Sequence, residues 1–87
     1  MQDEILTFIR EFLARNLDPP PARVTPRTSF SRDVVLDSLT ALDLLAGLAE
    51  RFRITLDPWE TAGMETVGEL CGLVAEKVAA RAARRTS

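Results

Sequence analysis

The chain of 87 residues is long enough for one domain, and its 46% hydrophobic and 28% charged residues are typical of a folded protein rather than a disordered one. Its net charge of −2 argues against nucleic acid or an anionic membrane as a partner. Residues 1–80 hold 8 basic and 13 acidic residues, a net charge of −5, because three arginines lie further on. We therefore expect an acidic folded domain over residues 1–80 and a basic, frayed helix end over residues 81–87.

The chain begins with MQDEIL, which is acidic and lacks the basic region and apolar run of a signal peptide. No later stretch has the about 20 apolar residues of a membrane span. We therefore expect a cytoplasmic protein. The single cysteine, Cys71, excludes an internal disulfide and is expected to be a buried, unreactive thiol. Because the chain has no histidine, it has too few ligands for a zinc cluster.

Residues 3–17 have the apolar spacing of an amphipathic helix. The apolar positions of its main stripe are Ile5, Ile9, Phe12, Leu13 and Leu17. Asp3 and Glu4 suit the positive end of the helix dipole. Asp18 and the three prolines that follow it end the helix, because a residue before proline is pushed out of the helical conformation.

Residues 18–37 form a connection of 20 residues. Loops of that length in compact domains are usually functional or partly structured. The apolar residues that would pin it onto the helices are Val24, Phe30, Val34 and Leu36. We expect Phe30 to be the strongest anchor.

The second helix is predicted over residues 38–52, and it is more apolar than one core face requires. At about 100° per residue, one stripe of ordinary width contains Ala41, Leu44, Leu45, Leu48 and Phe52. A second group, here called the outer stripe, consists of Leu39, Leu42 and Ala46. Either another helix of the bundle covers the outer stripe or a partner protein binds it, and the spacing leaves both interpretations open.

Two further helix starts follow. The segment Asp57-Pro58-Trp59-Glu60 combines an N-cap residue, an early proline and an acid, which predicts a short helix ended by Gly63. Thr66-Val67-Gly68-Glu69 predicts the start of a last helix. Trp59 is expected to be half-buried, and Met64 to fill a gap or to line the path of a bound group. The prediction is an all-α fold, a small four-helix bundle of three main helices and one short helix with a long first loop.

Asp37 and Ser38 stand at the start of the second helix, and the simplest interpretation is that both only cap its free backbone N–H groups. Ser38 cannot activate itself as a nucleophile, because the chain has no histidine and its only lysine, Lys77, lies far along in the last helix. An external enzyme would have to act on Ser38. A phosphodiester on that oxygen would be stabilised by the free N–H groups and the positive end of the helix dipole.

The arrangement VTPRTSFSRDVVLDSLTALDLLAGLAERFRITL, followed by METVGELCGLV, resembles the acyl and peptidyl carrier proteins of fatty-acid, polyketide and nonribosomal-peptide synthesis. The matching features run from the first loop into the last helix, and they are Thr28, Phe30, Asp33, Asp37-Ser38-Leu39, Glu50-Arg51-Phe52, Ile54, Leu56 and Thr66-Val67. The resemblance covers nearly the whole chain except its arginine-rich end, and it implies the helical bundle of that family.

The resemblance implies that Ser38 is the residue that is modified in this family. A phosphopantetheinyl transferase, using coenzyme A and a magnesium ion, would attach 4′-phosphopantetheine to the serine oxygen, and the terminal thiol of that arm would carry the cargo as a thioester. Asp37 corresponds to the acid that helps the transferase to recognise the site and arrange the metal. The chain itself would not be an enzyme and would hold no resident metal. The candidate contacts with partner enzymes are Leu39, Leu42, Asp43, Ala46 and Met64.

The chain departs from the family pattern in two places. Val35 and Leu36 precede Asp37 where many members have glycine followed by another residue, and the second helix has only Asp43 and Glu50 as acids. Carriers of bacterial fatty-acid synthesis usually have a more acidic second helix. We therefore predict a monomeric, free-standing carrier of a specialised polyketide or nonribosomal-peptide pathway, loaded by an acyltransferase or an adenylation enzyme and served by condensing or tailoring enzymes. The alternative is an unmodified helical adaptor that uses the outer stripe only to hold a partner.

Overall fold

The computed structural model describes residues 2–86, with side chains described up to residue 84. The helices in that range are α1 (Gln2–Asn16), α2 (Ser38–Phe52), α3 (Pro58–Thr61) and α4 (Val67–Thr86). The predicted all-α fold, with three main helices, one short helix and a long first loop, is confirmed. None of the helices within residues 2–86 combines the length and the hydropathy that a membrane crossing requires.

The hydrophobic core lies between the three long helices, since α1 packs against both α2 and α4, and α2 also contacts α4. Its buried helical side chains are Ile5, Ile9, Phe12, Leu13, Leu44, Leu45, Leu48, Phe52, Val67, Leu70, Cys71 and Val74. These residues recur every three or four positions, which is the spacing that gives each helix one apolar face. The rings of Phe8 and Phe52 meet edge to face with centroids 6.2 Å apart, and this contact joins α1 to the end of α2.

The loop between α1 and α2 is fastened to the start of α4 by backbone hydrogen bonds. The Phe30 N–H donates to the Glu65 carbonyl oxygen at 2.8 Å, and the Gly68 N–H donates to the Pro26 carbonyl oxygen at 2.8 Å. A Cβ atom at Gly68 would lie 2.8 Å from that same Pro26 oxygen, which is closer than a side chain tolerates. Glycine at this position therefore lets the loop backbone lie directly against α4.

The side chains that anchor this loop differ in burial from the expectation. Val24 and Val34 are buried, with exposed fractions of 4% and 3%, whereas Phe30 and Leu36 are only half-buried against the core. The prediction that Phe30 is the strongest anchor is therefore wrong. The two valines are the buried anchors of the loop, and the Phe30 ring instead lines a pocket.

The helix α4 continues through Thr86, so the residues predicted as a basic tail are helical from residue 81 to that point. Residue 87 lies outside the described residues. The division into a domain over residues 1–80 and a tail over residues 81–87 stays a prediction.

Candidate functional site

Ser38 is the first residue of α2, and its neighbour Asp37 is the N-cap. The Asp37 backbone is extended, with φ −73° and ψ 169°, and its side-chain oxygen Oδ1 accepts a hydrogen bond from the Thr40 N–H at 2.7 Å. The Ala41 N–H donates to the Asp37 carbonyl oxygen at 3.0 Å. Capping is therefore the role of Asp37. The exposed Ser38 hydroxyl makes no hydrogen bond with any of the described residues, so it is open to an approaching enzyme.

The electrostatics of this helix start follow from the same cap. The hydrogen bond from the Thr40 N–H lowers the pKa of the Asp37 carboxyl below its ordinary value. Asp37 is therefore ionised at neutral pH, and its negative charge lies at the positive end of the α2 dipole, where it is stabilising. The first turn of α2 holds no further acid. The start of the helix thus presents one capped carboxylate beside one free hydroxyl.

The outer stripe of α2 begins directly beside Ser38 and is exposed. Leu39 and Leu42 have exposed fractions of 70% and 47%, and Ala46 is also exposed. Asp43 lies beside them and is exposed as well. The interpretation that another helix of the bundle covers the outer stripe is therefore wrong for the described part of the chain. Binding of a partner enzyme at these residues stays a prediction.

Two exposed apolar residues were missed by the sequence reasoning about partner contacts. Val35 precedes the site by three residues and is 73% exposed, and Trp59 in α3 is 76% exposed. The expectation that Trp59 is half-buried is wrong, because a helix of four residues has no periodicity from which its inner face can be inferred. A signal at Val35 was present in the sequence, since an apolar side chain stands there shortly before Asp37 and Ser38.

An apolar pocket of about 180 Å³ lies between α2, the α3 region and the start of α4. Leu36 and Ala41, which flank Ser38 in sequence, line it together with two leucines of the core face of α2. Thr61 and Met64 from the α3 region also line it. Met64 is half-buried there, so the structure places it at a pocket wall and not among the exposed residues of the outer stripe.

The remaining reactive groups are engaged or buried. Lys77 Nζ lies 2.7 Å from a carboxylate oxygen of Glu60, far along α4 from the start of α2. Cys71 is buried in the core, and its burial raises the pKa of the thiol, so it stays protonated and unreactive. Among the described residues no group of three or more His, Cys, Asp or Glu side chains is arranged to hold a metal ion.

An exposed serine hydroxyl at the start of a helix in a small helical bundle is a feature of the class of carrier domains, which other proteins modify. The sequence profile of the family described as "Phosphopantetheine attachment site" matches residues 6–74. The chain is 33% identical over 79 residues to the acyl carrier protein of Thermosynechococcus vestitus, covering 91% of this chain and 98% of that one. It is 37% identical over 79 residues to acyl carrier protein 2 of Ralstonia nicotianae, with the same coverage. The chain belongs to the phosphopantetheine-binding acyl carrier protein family.

Membership of this family confirms the resemblance and several of its implications. The cofactor is covalently attached 4′-phosphopantetheine, whose thiol supplies the thioester chemistry, and the protein is a carrier and not an enzyme. It acts with a phosphopantetheinyl transferase and with enzymes that handle acyl groups. The start of α2 fits such a group, because a phosphodiester needs one reachable hydroxyl and stabilising backbone N–H groups. The particular partners are not fixed by the family.

Proposed function

We propose that Ser38 carries the 4′-phosphopantetheine arm and that the protein delivers acyl groups on this arm to enzymes of a specialised biosynthetic pathway. The observation that supports the attachment residue is the exposed Ser38 hydroxyl, which has no hydrogen bond to the described residues because Asp37 caps the helix instead. The ionised Asp37 beside it is the residue that we propose the transferase recognises, together with the magnesium ion that it uses.

The proposed cargo is an apolar acyl group and not an aminoacyl group. The pocket of about 180 Å³ is lined mainly by apolar side chains. Among them, Leu36 and Ala41 lie close in sequence to Ser38. An apolar cavity of about 150 Å³ in another protein stays dry and binds benzene, so a pocket of this size has room for the end of a short acyl chain. A charged amino group would lose its hydration there without gaining a partner, which favours an acyl chain.

The proposed docking surface for partner enzymes consists of the outer stripe with Asp43, and it extends to the half-buried Met64 at the pocket wall. Val35 and Trp59 are further exposed apolar residues that a partner could contact. Exposed apolar residues around a modified serine favour recognition by shape and apolar contact. The α2 helix has only Asp43 and Glu50 as acids, so it offers few carboxylates with which a basic enzyme surface could pair. This weak acidity supports a specialised pathway of the kind used in antibiotic biosynthesis over a role in housekeeping fatty-acid synthesis, and the apolar cargo favours the polyketide type over the nonribosomal-peptide type.

The partners in this proposal are a loading acyltransferase or adenylation enzyme and the condensing or tailoring enzymes that receive the cargo. Each contact would be transient, because a carrier has to leave one enzyme to reach the next. The protein would act as a monomer in the cytoplasm, where coenzyme A is available to the transferase.

The test is the intact mass of the protein after incubation with coenzyme A, magnesium and a broad-specificity phosphopantetheinyl transferase. We expect one phosphopantetheine on the wild type and none on Ser38→Ala. Ser31→Ala is the matched control, since Ser31 is also exposed and lies in the loop before the site. Modification of Ser38→Ala would move the attachment to another residue. A folded wild type that gains no mass would favour the alternative of an unmodified adaptor that binds through the outer stripe.

A further inference from the structure

The region around α3 forms one wall of the apolar pocket and is weakly held by apolar packing. We call residues 57–64 the α3 segment. Its helix has four residues, none of which is buried, yet Thr61 and Met64 line the pocket. Trp59 on its outer side is 76% exposed. Met64 packs against the core, but no other apolar side chain of the segment does so. The position of this pocket wall therefore depends largely on polar contacts.

The two ends of the α3 segment are fastened differently. Directly after the segment, the Glu65 carbonyl oxygen accepts the Phe30 N–H at 2.8 Å, so this end is tied to the first loop by the backbone. Near the other end, Lys77 of α4 reaches across, and its Nζ donates to the Thr55 carbonyl oxygen at 2.6 Å. The same Nζ lies 2.8 Å from Glu60 Oε1 and 2.7 Å from Glu60 Oε2. Lys77 thus binds both Thr55, just before the segment, and Glu60 within the segment.

Glu60 connects Lys77 to the start of α3. Its Oε1 atom also accepts the Asp57 N–H at 3.0 Å, so the carboxylate that holds Lys77 also fixes the backbone at the N-cap of the short helix. The Lys77 and Glu60 side chains are only 24% and 18% exposed, so solvent and salt screen the pair less than an open surface pair. The hydrogen bond from Lys77 lowers the pKa of the Glu60 carboxyl, which is therefore ionised at neutral pH.

We propose that Lys77 is a positioning residue that holds the α3 segment closed over the apolar pocket and thereby sets how well the pocket shields an acyl chain from water. The link to the acyl chain depends on the proposed function, because only a carrier would place cargo in the pocket. The positioning of the α3 segment by Lys77 does not depend on the proposed function. Loss of the Lys77 contacts would loosen the segment at its first end, where the partly buried Ile54 and Leu56 still anchor the preceding chain to the core. The backbone bond at Glu65 would still hold the second end, so the segment would open about that second end.

The first experiment uses hydrogen exchange of the unmodified protein and does not depend on cargo. Lys77→Met keeps the long side chain and removes its charge and donors, and Glu60→Gln is a milder variant that keeps one acceptor. We expect amide exchange within residues 57–64 to be about tenfold faster in Lys77→Met, less so in Glu60→Gln, and unchanged in the middle of α1 and α2. Glu76→Gln is the matched control, since Glu76 is the exposed neighbour of Lys77 in α4.

The second experiment uses the carrier loaded with either an acetyl or an octanoyl thioester and measures cleavage by hydroxylamine. The acetyl group has only one methyl group to bury, so it gains little from the pocket and serves as an internal reference for each variant. We expect the octanoyl thioester to be cleaved several-fold more slowly than the acetyl thioester in the wild type, and the two rates to converge in Lys77→Met. Circular dichroism of each variant confirms that the long helices remain folded.

The outcomes separate the two proposals. Unchanged exchange in residues 57–64 of Lys77→Met overturns the closure by Lys77, and so does a rise that is equal in all helices, because that rise reports global destabilisation. Faster local exchange with unchanged octanoyl protection overturns the role of Lys77 in shielding the cargo. If octanoyl and acetyl thioesters are cleaved equally in the wild type, the proposed acyl cargo in the pocket fails, while the exchange data still decide the closure.

Discussion

The helix α2 carries two groups of apolar side chains with the same chemistry and opposite surroundings. On the core face, Leu44 and Leu48 have exposed fractions of 2% and 0%, whereas Leu39 and Leu42 of the outer stripe are 70% and 47% exposed. A buried leucine stabilises a fold by about 1.5–3 kcal/mol relative to an exposed one. The outer stripe contributes little of that energy, so packing within the chain does not explain why it is apolar. The proposed contact with partner enzymes would explain it.

The largest effect is expected on the core face. Leu48→Ala should lower the free energy of unfolding by about 2–5 kcal/mol, because it removes buried methyl groups and leaves a cavity between the long helices. Denaturant unfolding of the wild type and the variant measures this loss. For a domain this small, such a loss is a large part of the total stability. A change under about 1 kcal/mol would mean that the core face is not packed as described.

A smaller effect, on a different property, is expected at the outer stripe. Leu42→Asp should lower the free energy of unfolding by no more than about 1 kcal/mol, because about half of the side chain is in solvent already. It should slow transfer of the cargo to a partner enzyme about tenfold, since a charge would enter an apolar contact without a partner. The rate of transfer from the loaded carrier is the measurement.

Ala79→Asp is the matched control for this variant, because it adds the same charge at an exposed position of α4, away from the start of α2. Its transfer rate should match the wild type. Equal transfer rates for Leu42→Asp and Ala79→Asp would remove the docking role of the outer stripe and leave its apolar character without a function.

The contrast within α2 was largely predictable from the sequence, because a helix of 15 residues covers about four turns and its faces are fixed by periodicity. The predicted boundaries, residues 38–52, agree with the structure, and so does the division into a core face and the outer stripe. Periodicity could not decide whether the outer stripe was covered. That depends on where the other helices lie, which is a tertiary property.

The pocket and its α3 wall could not be predicted from the sequence, for a related reason. The α3 helix is too short for periodicity, so neither the exposure of Trp59 nor the position of Met64 at the pocket followed from the pattern. For Lys77, the sequence indicated only that it lies too far from Ser38 to act as its base. Its contact with Glu60 joins residues 17 positions apart, and such a pair becomes visible only when the fold brings the two helices together.

The smallest effect concerns the cap on which both groups of α2 side chains depend, because Asp37 fixes where the helix starts. The Thr40 N–H lowers the pKa of Asp37 in the folded protein, so its carboxylate stabilises the fold above the pKa of the unfolded chain. That contribution is lost as the pH falls through the lower, folded pKa. We expect Asp37→Asn to remove this part of the acid dependence, since asparagine is a comparable N-cap with no carboxyl to protonate. Thermal unfolding between about pH 6 and about pH 2 measures it.

The control for this variant is Asp43→Asn, which removes an exposed carboxylate from the same helix, one with no capping bond among the described contacts. Its melting temperature should fall with acid as in the wild type, whereas that of Asp37→Asn should fall less. At neutral pH Asp37→Asn should melt slightly below Asp43→Asn, because it lacks the stabilising carboxylate at the helix start, and it should also be a slow substrate of the phosphopantetheinyl transferase. If Asp37→Asn is modified at the wild-type rate, Asp37 serves the helix alone. Recognition by the transferase would then depend on Ser38 and on the exposed apolar residues of the outer stripe. The outer stripe would in that case serve the transferase as well as the other partner enzymes.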